Sequence, residues 1–365
     1  MWKQDSKNEE KVIASTEKSM EERLCENLRK HELPDYLLYM GTGGAKNWLK
    51  LDESETFPIA RRLKGLLEEN IESIVRFIPA FMSLVSVGVG SGDKEKILLE
   101  GLIKKKLSEK PASKKVPIHY YPVDISSQLV DLALENVRDL PVEKTGIVGF
   151  IEDIPHFKEH WRPPVVFCVL GNTFCNYEPE TFLQLIYENL EQGDLLFFDA
   201  NLLPGPGSGN KARDARRSVL GTYSSKENAL FNMYPLLQYG MDPEDLGFEL
   251  SLSNVDSKIG NLCRTRKNLN ILKDAEIRIG SEAVSFREGD VIRMGFTYKY
   301  TYDKIITLLD INKFDILSAF RSKDRENAIF LAKKRTRGKR KTDKHFSKHN
   351  LDFEEKTRRF QTARS

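Results

Sequence analysis

Hydrophobic residues follow a helical spacing at the start of the chain and form short contiguous runs further on. Ser15–His31 is predicted to be helical, and a second helix is predicted to begin at Pro58. From residue 84 onward, apolar runs alternate with amphipathic segments. Strands that are apolar on both faces indicate a parallel sheet covered by helices on both sides. The predicted strands are Leu84–Val89, His119–Val123, Gly146–Ile151, Pro164–Gly171 and Asp194–Leu202.

This alternation breaks after residue 202, and the pattern stays irregular to about residue 297. A helix and two strands joined by a charged turn then close the sheet with an antiparallel hairpin. We therefore predict an α/β domain formed by 73–204 and 298–334, an inserted subdomain over 205–297, and N-terminal helices over 15–72. Residues 1–14 and the tail 335–365 are predicted to be disordered, and the basic run KKRTRGKRK over 333–341 leads into that tail.

Composition narrows the possible partners. The net charge of the 365 residues is only +3, which requires neither a nucleic acid nor a membrane, although the basic tail could contact nucleic acid. No apolar run has the length of a membrane span, and the polar N-terminus lacks the pattern of a signal peptide. The four cysteines have neither metal nor disulfide spacing, and the histidine pair in HFKEH lacks the glutamate of the zincin motif. We expect a cytoplasmic protein without a metal site.

Three glycines follow the first predicted strand in LVSVGVGSGDKEK. Gly88, Gly90 and Gly92 depart from the dinucleotide fingerprint, which would place its last glycine at Asp93, and no G-K-[ST] phosphate loop is present. Asp124 ends the next strand, where a carboxylate can accept from both ribose hydroxyls. A compact turn with this acid suits a nucleoside that carries an amino-acid-like tail. The sequence therefore predicts an S-adenosylmethionine site.

The third strand runs into the segment GFIEDI. Phe150 is placed to stack on an adenine or to form a wall beside it. Glu152 and Asp153 follow closely, and one of them is expected to reach the adenine amine.

The segment from Val166 to Leu203 carries a more specific pattern. It contains LGNTFCN over 170–176 and, after a predicted helix, GDLL over 193–196. The chain thereby resembles the histidine-specific, S-adenosylmethionine-dependent methyltransferases, which include the ergothioneine-pathway histidine Nα-methyltransferases and fungal relatives acting on prenylated tryptophan. The resemblance extends from Leu33 to Lys334. It implies a Class I, Rossmann-like fold with a seven-stranded, mostly parallel sheet, and a substrate lid built from the N-terminal helices and the insertion.

The resemblance also implies site residues. Gly171 and Asn172 would lie at the cofactor, while Asn176, Tyr223 and Tyr39 would contact the substrate. Asn176 and Tyr223 could also align the reacting amine and take up its proton, in a catalytic role. From the residues alone, Asn176 could instead cap the following helix, and both tyrosines could be ordinary half-buried aromatics.

One position departs from the family pattern. Histidine-specific members hold the imidazole with a glutamate and, two residues later, a serine. The segment VSFREGDVIRMGFTYKY places Gly295 and Thr297 at these positions. Thr297 keeps the hydroxyl, but Gly295 has no acceptor to offer, so another aromatic amino acid or amine is an alternative to histidine.

Together these observations predict an N-methyltransferase that acts on the amino group of a small amino-acid-like substrate. Two alternatives remain at this point. The chain could methylate a protein or peptide amine, which would need a more open site, or it could be a non-catalytic binding protein that retains the fold and recruits nucleic acid through its tail.

Overall fold

A computed structural model describes residues 10–13, 19–79, 81–109, 118–203 and 210–335. The strands are β1 (Glu10–Ile13), β2 (Glu32–Leu33), β3 (Ser83–Val87), β4 (His119–Asp124), β5 (Glu143–Val148), β6 (Val165–Val169), β7 (Leu195–Asn201), β8 (Leu246–Val255), β9 (Leu262–Ile271), β10 (Ala275–Ile279), β11 (Glu282–Phe286), β12 (Val291–Lys299), β13 (Phe314–Arg321) and β14 (Asn327–Lys334). The α-helices are α1 (Met20–Leu28), α2 (Gly41–Glu53), α3 (Ile59–Val75), α4 (Asp93–Glu109), α5 (Ser127–Asn136), α6 (Ile154–Phe157), α7 (Pro179–Asn189), α8 (Asn210–Tyr223), α9 (Lys226–Leu237) and α10 (Tyr302–Ile311).

The central sheet has the order β1-β5-β4-β3-β6-β7-β14-β13. Its strands β3 to β7 are parallel and confirm the five strands predicted from the apolar runs. Strands β13 and β14 form the predicted antiparallel hairpin, and β14 pairs antiparallel with β7. Without β1, this is the seven-stranded order of a Class I methyltransferase. β4 follows β3 on one side, whereas β6 lies on the other side of β3, so the strand order reverses at this strand. A ligand crevice is therefore expected at the carboxyl end of β3.

Burial on both faces of the sheet explains the contiguous apolar runs. All five residues of β3 and all five of β6 are buried. Along β3, Val85 packs into a core that includes Phe182 of α7, while Leu84 packs into a second core with Leu67 of α3 and Leu98 of α4. Because successive side chains of a strand point to opposite faces, both layers of helices are anchored by the same short segment.

The predicted insertion is more regular than its sequence suggested. Helices α8 and α9 are followed by a second sheet with the order β2-β12-β9-β8 and by the hairpin of β10 and β11. A third core joins these elements to the N-terminal segment, since Leu24, Leu37, Leu236 and Leu269 are all buried in it. The N-terminal segment and the insertion therefore form one packed unit, although they are far apart in sequence.

Residues 10–13, predicted to be disordered, form β1, which pairs parallel with β5. Backbone pairing at a free sheet edge needs no marked side-chain pattern, which is why the sequence did not reveal it. The other residues of 1–14, and the tail from 336 to 365, lie outside the described residues. In the described part of the chain, no helix has the length and apolar character needed to cross a bilayer.

Candidate functional site

A cavity of about 1190 Å³ opens at the carboxyl ends of the central strands. This volume is larger than the roughly 300–1,000 Å³ of a pocket for one small ligand. The N-terminal segment forms one of its walls, with Asp35, Tyr36 and Trp48 among the lining side chains. The cavity is also lined by the predicted site residues Tyr39, Gly88, Gly90, Asp124, Phe150, Glu152, Gly171, Asn176 and Gly295.

The glycine turn after β3 lies close to two side chains of other segments, Thr173 and Trp48. Gly88 has a φ of +63°, and a Cβ there would lie 3.0 Å from Cγ2 of Thr173. Gly90 has a φ of +58°, and a Cβ there would lie 3.3 Å from Nε1 of Trp48. A side chain at either position would be strained and would fill space beside the cavity. The turn therefore presents bare backbone, as the sequence predicted.

Asp124 ends β4 directly beside this turn. Its carboxylate accepts from the backbone N–H of Gly90 at 3.2 Å and from that of Ser126 at 3.0 Å. Burial raises the pKa of Asp124 to about 6, although the backbone N–H donors of Ser126, Gly90 and Ile125 act in the opposite direction. The remaining lone pairs of this buried acid are acceptors at the cavity wall.

Phe150 lies at the wall that follows β5. The ring of Tyr36 meets it edge-on with centroids 5.2 Å apart, and the guanidinium of Arg23 lies 4.8 Å from its centroid. Glu152 is exposed and also borders the cavity. This wall is therefore built from both the central sheet and the N-terminal segment.

A charge cluster of Lys94, Asp52 and Asp199, which sequence analysis missed, lies next to the turn after β6. A Cβ on Gly171 would lie 3.4 Å from Nζ of Lys94. Asp199 of β7 accepts from the backbone N–H of Gly171 at 3.0 Å and from that of Asn172 at 2.6 Å. Burial lowers the pKa of Lys94, but the carboxylates of Asp52 and Asp199 outweigh it, and the net shift is upward. Lys94 is thus a cation next to the cavity, and its place in GSGDKEK was the available signal.

Asn176 is held by the second sheet. The Thr297 hydroxyl donates to its Oδ1 at 2.9 Å. Thr297 is itself fixed, because its N–H donates to Oγ1 of Thr265 and its carbonyl accepts from the same hydroxyl. Asn176 does not cap α7, whose N-cap residue is Glu178. The helix-cap interpretation is therefore wrong, and the Nδ2 donors of Asn176 remain available at the cavity.

Tyr39 lies between an aromatic ring of α2 and one of α9. Its centroid is 5.5 Å from those of both Trp48 and Phe231. Burial, followed by the nearby carboxylates of Asp35 and Asp124, raises the pKa of Tyr39 well above its ordinary value. Its hydroxyl therefore stays protonated at neutral pH and can donate a hydrogen bond.

Gly295 lies on β12 against the N-terminal segment. A Cβ on this residue would overlap the carboxylate of Asp35. Asp35 in turn accepts from Nζ of Lys267 at 2.6 Å. The position without an acceptor of its own is thus occupied by a carboxylate from another element. Sequence analysis missed Asp35.

Four predicted site residues lie outside the cavity lining. Gly92 packs on α5, where a Cβ would lie 2.9 Å from that of Ala133. Asn172 is buried, and its Oδ1 accepts from the N–H of Asn201. Tyr223 packs edge-on against Phe57. Thr297 acts through Asn176, as described above. Motif position alone could not separate residues that shape the turns from those that face the cavity.

Tyr223 is further from its expected role than the other three. Its centroid is 5.4 Å from that of Phe57, and Nζ of Lys299 lies 4.8 Å above its ring. Its backbone carbonyl accepts from Asn228 of α9. These contacts make it part of the packing between α8, α9 and β12, so the structure does not support the predicted substrate contact.

Candidate metal ligands and cysteine thiols were compared among the described residues. No group of three or more histidine, cysteine, aspartate or glutamate side chains there could hold a metal ion. Cys25, Cys168, Cys175 and Cys263 are all buried as free thiols, which agrees with a packing role.

Comparison with known proteins gives a family match and several structural likenesses. Residues 18–334 match the model of the family described as histidine-specific methyltransferase, SAM-dependent. No curated protein matches the chain. A methyltransferase from Clostridium acetobutylicum, described as S-adenosylmethionine-dependent, is 13% identical with a TM-score of 0.38 over 76% of this chain and 92% of its own. The plantazolicin methyltransferase BpumL, solved with SAH, is 14% identical with a TM-score of 0.38 over 87% of this chain and 100% of its own.

Proposed function

We propose that this chain, which belongs to the histidine-specific, S-adenosylmethionine-dependent methyltransferases, methylates the amino group of a small amino-acid-like acceptor. The observation that carries the proposal is the shared cavity. One end has the bare glycine turn and Asp124, and the other has Asn176 fixed by Thr297. A volume of about 1190 Å³ can hold a nucleoside cofactor and a second small molecule together.

The residues at the first end fit S-adenosylmethionine. Asp124 can accept from the ribose hydroxyls, and the turn at Gly88 and Gly90 leaves room for the ligand beside its backbone. Phe150 offers an apolar wall for the adenine, with Glu152 at its border. Lys94, whose Nζ lies 3.4 Å from the Cβ position of Gly171, can pair with the carboxylate of the amino-acid tail. When bound, the cofactor supplies an electrophilic methyl group on a sulfonium.

The residues at the second end would orient the acceptor. Nδ2 of Asn176 can donate to the acceptor carboxylate, and the protonated Tyr39 hydroxyl can donate as well. The rings of Trp48 and Phe231, each 5.5 Å from that of Tyr39, provide apolar surface beside this hydroxyl. Holding two reactants in a fixed arrangement can account for several kcal/mol of a reaction barrier, so no covalent intermediate with the protein is required.

A transfer assay tests the proposal directly. The purified protein is incubated with cofactor labelled at the methyl group and a panel of free amino acids and amines that includes histidine and tryptophan derivatives. We expect the label on an amino nitrogen and at least a tenfold loss of kcat/KM in Asn176→Ala, with an unchanged affinity for SAH. Labelling of proteins or peptides but of no free amine would overturn the proposal.

A further inference from the structure

The Asp35 carboxylate is an acceptor in the cavity wall that the proposed chemistry has not used. Its Oδ1 accepts from Lys267, while no described residue donates to Oδ2. The Asp35 side chain is 25% exposed and lines the cavity, whereas that of Lys267 is only 9% exposed. A carboxylate oxygen facing a cavity without a donor is a binding group for an N–H or O–H of a ligand.

Three elements fix this carboxylate in place. Asp35 belongs to a 3-10 helix over Asp35–Tyr39, Lys267 lies on β9 and Gly295 lies on β12. The absence of a side chain at Gly295 leaves the space that the carboxylate fills. A 2.6 Å charge-assisted hydrogen bond to a buried ammonium then restricts its rotation.

Asp35 and Asn176 meet nearby positions of the same strand. A Cβ on Gly295 would overlap Asp35, and the hydroxyl of Thr297, two residues further along, donates to Asn176. Two residues of a regular strand span about 7 Å, and the pairing of β12 with β9 shifts register between Arg293 and Phe296. This span is comparable with the separation between the carboxylate of histidine or tryptophan and the ring nitrogen of the same molecule. One molecule could therefore reach Asn176 with its backbone end and Asp35 with its side chain.

Charge decides which donors suit the pair. Asp35 and Lys267 together are neutral, and an ammonium that approaches Asp35 also approaches the cation of Lys267. A neutral ring N–H avoids this repulsion while it satisfies the free oxygen. We propose that Asp35, oriented by Lys267, is the specificity-determining residue of the acceptor site and accepts a hydrogen bond from a neutral ring N–H of the acceptor's side chain. This inference rests on the proposed function.

Calorimetry in the presence of saturating SAH tests the inference without methyl transfer. The probes are L-histidine and L-tryptophan, which carry a ring N–H, and L-phenylalanine and L-lysine, which do not. We expect Asp35→Ala to weaken binding of the better N–H probe about 10- to 100-fold and to change phenylalanine binding less than twofold. Glu32→Gln is the matched control, since Glu32 pairs at the exposed surface with Arg293, which lies on β12 as Gly295 does.

A carboxylate swap distinguishes recognition from simple structural support. Asp35→Ala frees the space beside residue 295, so adding Gly295→Glu to it returns a carboxylate from β12, and we expect at least half of the lost selectivity to return. SAH affinity should stay within twofold in all variants. Equal losses for histidine and phenylalanine in Asp35→Ala, or no binding of either N–H probe to the wild type, would overturn the inference. Binding of an N–H probe that depends on Asp35, without methyl transfer, would count only against the proposed function.

Discussion

The hydroxyl of Thr297 donates a 2.9 Å hydrogen bond to Oδ1 of Asn176, which joins the second sheet to the turn after the fourth predicted strand. This contact orients the amide so that its donors remain free at the cavity. Thr297 is buried and bonded on both sides to Thr265, so the orientation is imposed by the sheet. A residue that does not line the cavity thereby controls one that does.

Replacement of Thr297 by valine tests this control. Thr297→Val keeps the shape and removes the hydroxyl, and we expect kcat/KM for the acceptor to fall about 5- to 30-fold, corresponding to 1–2 kcal/mol. Most of the loss should appear in KM, with SAH affinity unchanged, and Thr297→Ser should restore at least half of it. An unchanged KM would show that Asn176 does not need this partner.

Cofactor affinity should depend on the ionisation of Asp124. Burial raises its pKa to about 6 in the free protein, and ribose hydroxyls that donate to the carboxylate favour the ionised form. The pKa must therefore be lower in the complex than in the free protein. SAH affinity should be constant above pH 7 and should fall by up to tenfold per pH unit below pH 6.

Calorimetry over pH 4.5–8 measures this profile, and Asp124→Asn provides the comparison. The variant should bind SAH more weakly at pH 7.5 and should lose the dependence below pH 6. A slope that survives in Asp124→Asn would show that the dependence does not come from Asp124.

The tail of the cofactor should be recognised by Lys94. Lys94→Met removes the cation next to Gly171, and we expect SAH affinity to fall at least tenfold. Affinity for 5′-methylthioadenosine, which lacks the carboxylate, should change much less. The melting temperature will also drop, because Asp52 and Asp199 lose the cation near them.

Lys64→Met is the matched control for Lys94. Lys64 of α3 pairs at 3.2 Å with Asp93, which begins the helix that carries Lys94, and the Lys64 side chain is 39% exposed. We expect its removal to change the affinity for both ligands less than twofold. Equal losses of affinity for SAH and for methylthioadenosine in Lys94→Met would mean that Lys94 supports the turn and does not bind the carboxylate of the cofactor tail.

Gly92 should matter for stability and not for ligand contact. Its φ is +76°, and a Cβ would lie 2.9 Å from that of Ala133 on α5. Gly92→Ala should therefore lower the free energy of unfolding by about 1–3 kcal/mol in a denaturant titration. Gly221→Ala is the control, since Gly221 lies in α8 with open space around it and should gain up to about 1 kcal/mol. A stable Gly92→Ala variant that no longer binds SAH would return Gly92 to the cofactor site.

The candidate site was predictable from sequence only where local geometry required a residue type. Gly88, Gly90 and Asp124 could be predicted because the end of a buried strand, a bare turn and a following acid are consecutive features of the chain. Phe150 and Gly171 follow the ends of the next strands for the same reason. Asp35 and Lys94 were missed, since one reaches the cavity from a 3-10 helix and the other from the start of α4, and only Lys94 lies in a segment, GSGDKEK, that carried a signal.

Three residues predicted from motif position make packing contacts outside the cavity lining. Asn172 adopts a left-handed backbone conformation, with a φ of +66°, and its Oδ1 accepts from the N–H of Asn201 in β7. Its neighbour Gly171 borders the cavity. Gly92 meets α5, and Tyr223 meets Phe57. A motif records that a residue is needed near a site, but the direction of its side chain depends on neighbours distant in sequence.

The sequence by itself determined the parallel sheet, its closing hairpin and the position of the ligand crevice. The sheet and its hairpin follow from apolar runs that are buried on both strand faces. The crevice follows from the rule that ligands bind where the strand order reverses, and the turn at that point is recognisable from consecutive residues. Only the tertiary structure decided how the acceptor end is built. The acceptor end is formed by residues 35, 176, 267, 295 and 297, and it depends on the core that the N-terminal segment shares with the second sheet. Burial of apolar surface between segments far apart in sequence produces no periodic pattern from which their pairing could be predicted.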